Sequence, residues 1–83
     1  MEQMTLDEVK KETKNNLNIE FSFNGDWYAV AGGEDAFFWT FYKNGEDVGD
    51  VEGFENVFDF KFIDGKSITD VFDEIEPSIE FDW

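Results

Sequence analysis

Two stretches joined by Asn24-Gly25 constrain this chain more than any other feature of it. In LNIEFSF, Leu17, Ile19, Phe21 and Phe23 alternate strictly with polar residues, the two-residue period of a strand with one face buried. Asn24-Gly25 follows at once, a pair that readily adopts φ > 0 and so suits the tight turn of a twisted hairpin. DWYAVA then returns as a second strand, which commits the chain to antiparallel pairing.

The pattern continues on both sides. GGED (Gly32 to Asp35) turns the chain, and AFFWTFY runs apolar on both faces, as a covered or central strand would. Asn44-Gly45 is a second turn signal, so three antiparallel strands in a meander are the economical expectation. Ahead of them, TLDEVKKETKN (residues 5–15) begins with Thr5 and places Glu8 three residues later, the arrangement of a capping box. Leu6, Val9 and Thr13 mark a thin apolar stripe, which predicts a short helix carrying Lys10, Lys11 and Lys14.

The stretch DVGDVEGFENVFDF (47–60) admits two readings. At helical spacing from about Val51, the residues Val51, Phe54, Val57, Phe58 and Phe62 fall within an arc of about 140°. Asp50 then sits as N-cap, and Glu52, Glu55 and Asp59 gather on the flank of the stripe. As a strand, only Phe58, Phe60 and Phe62 alternate cleanly. The helical reading is the better fit, with a short helix ending near Phe58 and a brief extended FKFI after it. Asp64-Gly65 marks another turn. Ser67 with Asp70 opens SITDVFDEIE, where Ile68, Val71, Phe72 and Ile75 follow the i, i+3, i+4, i+7 pattern until Pro77 stops it. The tail SIEFDW alternates Ile79, Phe81 and Trp83 with other residues; it completes the protein's own sheet or docks on a partner. The expected fold is thus a small single-domain α+β protein over residues 1–83. It has an N-terminal helix, a three-stranded antiparallel meander, one or two short helices and an extended C-terminal tail.

Size and composition agree with a folded domain. A chain of 83 residues buries roughly 60–65% of its unfolded surface, so it needs large core groups, and 41% apolar residues with eleven Phe, three Trp and two Tyr supply them. Phe21, Phe23, Phe37, Trp39, Phe58 and Phe72 stand where the patterns want core. Trp27, Tyr28, Tyr42, Phe54 and Trp83 are less firmly placed, and an exposed aromatic ringed by acids is an arrangement common at binding hot spots.

Composition also removes chemistry. Without cysteine there is no disulfide, thiolate or cysteine metal site. Without histidine the commonest general base and transition-metal ligand are missing, and so is every Ser–His arrangement. A calcium-loop pattern laid over Asn44 to Glu55 puts Asn44, Glu46, Gly49 and Glu55 on positions 1, 3, 6 and 12 of the loop, but Val48 falls where an oxygen ligand belongs. No enzyme, cofactor or metal is expected. No apolar run approaches a membrane span and the N-terminus lacks the pattern of a signal peptide, so the expectation is a cytoplasmic protein.

What remains unusual is charge. Twenty-one acids face six lysines, for a net charge of −15. Residues 46–83 hold thirteen acids and two lysines, a net of −11; residues 1–45 hold eight and four, a net of −4. Asp70 and Glu74 are like charges at i, i+4, so a helix there gives up a few tenths of a kcal/mol to keep one sign of charge. Nucleic acid and anionic lipid are repelled by such a surface, whereas a basic protein is attracted to it. The expected function is a non-enzymatic acidic binding protein, an inhibitor that occupies the basic surface of a nucleic-acid-binding protein by mimicking the charge of DNA or RNA. The residues expected to meet that partner are Asp50, Glu52, Glu55, Asp59, Asp70, Asp73 and Glu74. The alternative is a small structural or accessory domain that pairs with itself or a partner subunit, its acidity serving only solubility.

Overall fold

The computed structural model describes residues 4–33 and 37–81. Helix α1 spans Leu6–Asn16; the strands are β1 (Asn18–Phe23), β2 (Asp26–Gly32), β3 (Phe38–Lys43) and β4 (Glu46–Glu52). A 3₁₀ segment covers Phe54–Asp59, and α2 is the short helix Phe72–Ile75, running into a second 3₁₀ turn at Glu76–Ser78. The strands make one antiparallel sheet in the order β1-β2-β3-β4, with α1 ahead of it and the short helices behind, so the chain is an α+β protein.

Local chemistry explains most of the boundaries. The Thr5 hydroxyl accepts from Glu8 N–H at 3.2 Å while Glu8 accepts from Thr5 N–H at 2.9 Å, the reciprocal pair that starts α1. Leu17 ends the helix in the left-handed region and turns the chain into β1. Three turns then repeat one solution. Asn24-Gly25, Asn44-Gly45 and Asp64-Gly65 all hold positive φ at both residues, from 51° to 86°, the type I′ geometry whose twist matches that of paired strands. The last of these closes only a minimal ladder, Ile63 bonding Lys66.

Two expectations are corrected here. The sheet has four strands, and the fourth is the stretch read as the start of a helix: Asp50 is not an N-cap but pairs with Thr40 inside β4, and Glu52 pairs with Phe38. The Asn44-Gly45 turn sends the chain straight back along β3, whose outward backbone groups would otherwise lack partners beside the buried Trp39 and Phe41. That demand outweighs a helical pattern already weakened by Gly53. Only after Gly53, at φ 87°, does the chain coil, and it coils as 3₁₀. The second correction concerns SITDVFDEIE. Ser67 and Asp70 do bond each other's backbone, but they close a turn; regular α-helix is confined to Phe72–Ile75. Pro77 lies in the following 3₁₀ turn. A single isolated bridge ties the tail to β1, Glu20 and Glu80 exchanging both N–H···O bonds at 2.8 Å. Trp83 lies outside the described residues.

The core occupies one face of the sheet. Ile19, Phe21, Tyr28, Val30, Trp39 and Phe41 project from β1–β3 onto Val57, Phe58, Phe62, Ile63, Ile68, Val71 and Ile75, with Val9 of α1 closing one end. Phe62 sits at the centre, within 4.5–6.2 Å of the rings of Phe21, Tyr28, Phe41 and Phe60. Two glycines let rings lie flat on the sheet: a Cβ on Gly32 would stand 2.8 Å from the Trp39 ring, and one on Gly49 would stand 2.9 Å from Phe60. The expected core is thus right for Phe21, Trp39 and Phe58. Phe23 and Phe72 are half-buried at its margin, Phe37 is exposed, and Tyr28 belongs to the interior.

Candidate interaction surface

The seven acids expected to meet a partner are all exposed, and the fold divides them between two sides of the molecule. Asp50 and Glu52 alternate with Val51 on β4. Val51 packs toward the core, so the two carboxylates stand on the opposite face of the sheet, with Cα atoms about 6.8 Å apart. Glu55 and Asp59 lie on the 3₁₀ segment and Asp73 and Glu74 on α2, in the layer that covers the core face. Thr69 bonds the Phe58 carbonyl through both its N–H (3.3 Å) and its hydroxyl (3.0 Å), which brings Asp59 and Asp70 onto adjoining segments. The covering layer therefore carries one group of acids and β4 another.

Asp70 differs from the other six. It accepts from Lys61 Nζ at 2.6 Å and from Ser67 N–H at 2.9 Å, and these bonds, the Lys61 one foremost, hold its carboxyl down at about 2. Its charge is spent on an ion pair and on closing the 67–70 turn. The Asp50, Glu52, Glu55, Asp59, Asp73 and Glu74 carboxylates make no ion pair or hydrogen bond among the described residues.

The lysines matter as much as the acids. Lys10 and Lys14 stretch along α1 to stand 5.6 Å and 5.8 Å over the rings of Phe58 and Phe54. Lys66 lies 5.9 Å over Phe23. Lys43 sits over the Tyr28 ring and reaches Asp64 at 3.5 Å and Asp26 at 3.7 Å. Burial raises the Tyr28 phenol above its usual value, with Asp64 adding to it; Tyr28, then Asp64 and Asp26, raise the Lys43 ammonium. Each of these lysines belongs to the core side of the sheet.

The opposite face is a different surface. Its rows follow from the register: Glu20, Ala29, Tyr42 and Asp47 lie side by side across the four strands, followed by Asn18, Ala31, Thr40 and Asp50, then Phe38 beside Glu52. Trp27 stands beyond the first row, its backbone N–H donating to Asn44 Oδ1 at 2.9 Å. Trp27 is 38% exposed and Phe38 52%. Val48 is the extra residue of a bulge between Phe41 and Tyr42, and Asp47 caps that bulge by accepting from Gly49 N–H at 2.9 Å. Among the described residues no helix packs on this face; Ala29 and Asn18 are buried within its rows, while Trp27, Phe38, Asp50 and Glu52 are exposed. Periodicity could have marked Trp27, Phe38 and Tyr42 as sharing a face with acids, but only once β4 was known to be a strand.

Asn44 lies in the β3–β4 turn, Gly49 within a strand and Glu55 on the 3₁₀ segment, so the residues of the calcium-loop pattern are strung along a hairpin. Among the described residues no three carboxylates converge as metal ligands, no pocket opens on the surface, and no helix is long and apolar enough to cross a membrane. Fold and surface together define a small α+β domain with an antiparallel sheet and strongly acidic charge. No family model, curated protein or solved structure matches the chain.

Proposed function

We propose that this protein is a non-enzymatic acidic binder that occupies the basic surface of a nucleic-acid-binding protein, presenting carboxylates where that partner expects phosphates. One observation carries the reading. A net charge of −15 spreads over 5099 Å² of surface, about one net charge per 340 Å², while Lys10, Lys14, Lys43 and Lys66 lie against the protein's own rings. The outward field is therefore of nearly one sign, which speeds encounter with a cationic partner by 10-fold or more. The contact set is drawn from Asp50, Glu52, Glu55, Asp59, Asp73 and Glu74, with Asp70 supporting the turn that presents its neighbours.

The test is capture followed by competition. Protein retained from a cell lysate on the immobilised chain at 50 mM salt should elute by about 300 mM, since the Debye length, about 10 Å at 0.1 M, shrinks through that range. The eluted partner should release labelled DNA or RNA as the protein is titrated in. Retention indifferent to salt, or a partner that keeps its nucleic acid, refutes the reading.

A second reading draws on the exposed Trp27, Phe37, Phe38 and Val48: an accessory domain that pairs through apolar surface. Sedimentation at several concentrations separates the two, because such a domain self-associates at tens of micromolar and a charge mimic stays monomeric.

A further inference from the structure

Extending that proposed function, and resting on it, we infer that the docking face is the side of the sheet opposite the core, where Trp27, Phe38, Asp50 and Glu52 are exposed, and that it takes an arginine-rich segment of a protein partner. Three observations on this face point the same way. Asp50 and Glu52 stand on it with unengaged carboxylates, next to Asp47 at the bulge, all on the edge strand β4. Trp27, Tyr42 and Phe38 lie on the same face, with Tyr42 paired to Asp47 and Phe38 paired to Glu52. Lys10, Lys14, Lys43 and Lys66, which would compete for those groups, lie over rings on the core side, and Lys61 pairs with Asp70.

Guanidinium is the cation this arrangement suits best. It pairs with a carboxylate through two parallel N–H···O bonds and stacks flat on an aromatic ring, whereas an ammonium does only the point-charge part of either. Carboxylates beside rings on one rigid sheet offer both contacts within one strand spacing, about 4.8 Å. The protein's own cations already take this option, since Lys10, Lys14 and Lys66 lie over rings on the covered side. A second copy of the chain is the poorer occupant, because it would bring −15 against −15. Pairing of a partner strand to β4 is opposed by the bulge at Val48 and by the acids along that edge. The acids of the covering layer then act at a distance, adding to the field that draws the partner in.

A fluorescein-labelled nona-arginine peptide is the probe, its binding read by anisotropy and by quenching of tryptophan at 50 mM and 300 mM NaCl. Two charge-matched double variants decide the face: Asp50→Lys with Glu52→Lys on the sheet, and Asp73→Lys with Glu74→Lys on α2. Each changes the net charge equally. The sheet pair should weaken binding by about 10-fold or more, and the α2 pair by no more than about 3-fold through the field alone. Trp27→Ala with Phe38→Ala should weaken it about 10-fold without changing charge, and nona-lysine should bind the native protein less tightly than nona-arginine. Equal losses from the two lysine pairs, or a larger loss from the α2 pair, overturn the sheet face while leaving the charge-mimic function standing. Absence of any salt-sensitive binding by the native protein overturns both. A dimer in sedimentation that dissociates in the Trp27→Ala, Phe38→Ala variant assigns the face to self-association and also overturns the inference. Circular dichroism verifies each fold; should a lysine pair unfold, Asp50→Asn with Glu52→Gln against Asp73→Asn with Glu74→Gln makes the same comparison.

Discussion

Replacing Phe62 by alanine and Phe38 by alanine, separately, reads directly which face of the sheet is interior. Phe62 is 8% exposed and touches four other rings at centroid distances from 4.5 to 6.2 Å. Its truncation removes the transfer free energy of a ring, leaves a cavity among side chains that relax only in part, and abolishes several aromatic pairs worth about 0.5–1.5 kcal/mol each beyond their area. A loss of about 3–5 kcal/mol follows. A domain of this size has roughly 4–12 kcal/mol in total, so the variant should lie near the edge of folding. At about 4–8 °C per kcal/mol, the melting temperature falls by at least about 12 °C. Phe38 is 52% exposed, and its ring packs edge to face on Phe37 with centroids 4.9 Å apart. Its loss should cost less than about 1 kcal/mol. The assay is urea unfolding followed by circular dichroism, comparing midpoints at an unchanged slope so that the difference reports stability and not compactness. Similar losses from the two variants would mean that the Phe38 face is covered, and the face assignment and the docking inference would fail together.

Two further outcomes test the local geometry. Asp70→Ala should destabilise the protein at neutral pH by breaking the Lys61 pair and the Ser67 cap. Because folding depresses this carboxyl from 3.8 to about 2, its contribution is present above about pH 4 and fades as pH falls through about 2. Urea midpoints of native and variant protein should therefore converge over that acid window, and a constant gap down to pH 2 would contradict the bonding described. Gly49→Ala places a Cβ 2.9 Å from the Phe60 ring at φ +145°, a conformation alanine avoids, and should cost about 1–3 kcal/mol; a neutral effect in thermal melts would show that the bulge is not held as described.

Some of this protein was legible in its residues because the controlling chemistry is local. A capping box is settled by residues three apart, and an Asn-Gly or Asp-Gly pair needs nothing beyond its own φ to turn a chain, so α1 and these three turns form as expected, while the expected turn at Gly32 to Asp35 reaches outside the described residues. Alternation in LNIEFSF names the inward residues of β1 before any partner is known. The expectation failed where a distant requirement overrode a local pattern. From about Val51 the residues carry a tolerable helical spacing, yet β3 needed a neighbour for its backbone groups as far as Glu52, and hydrogen-bond demand beside a buried core is stronger than a marginal propensity. That one change redistributed the acids: Asp50 and Glu52 went to the side of the sheet opposite the core, and Glu55, Asp59, Asp73 and Glu74 stayed with the covering layer. Asp70 could not be recognised as already paired, because Lys61 reaches it only once the 67–70 turn has closed. Composition by itself determined that this protein is acidic, aromatic and without histidine or cysteine chemistry. Which charges face outward together, and which rings stand among them, was decided by tertiary structure, since a strand assigns neighbouring residues to faces only after it has found its partner.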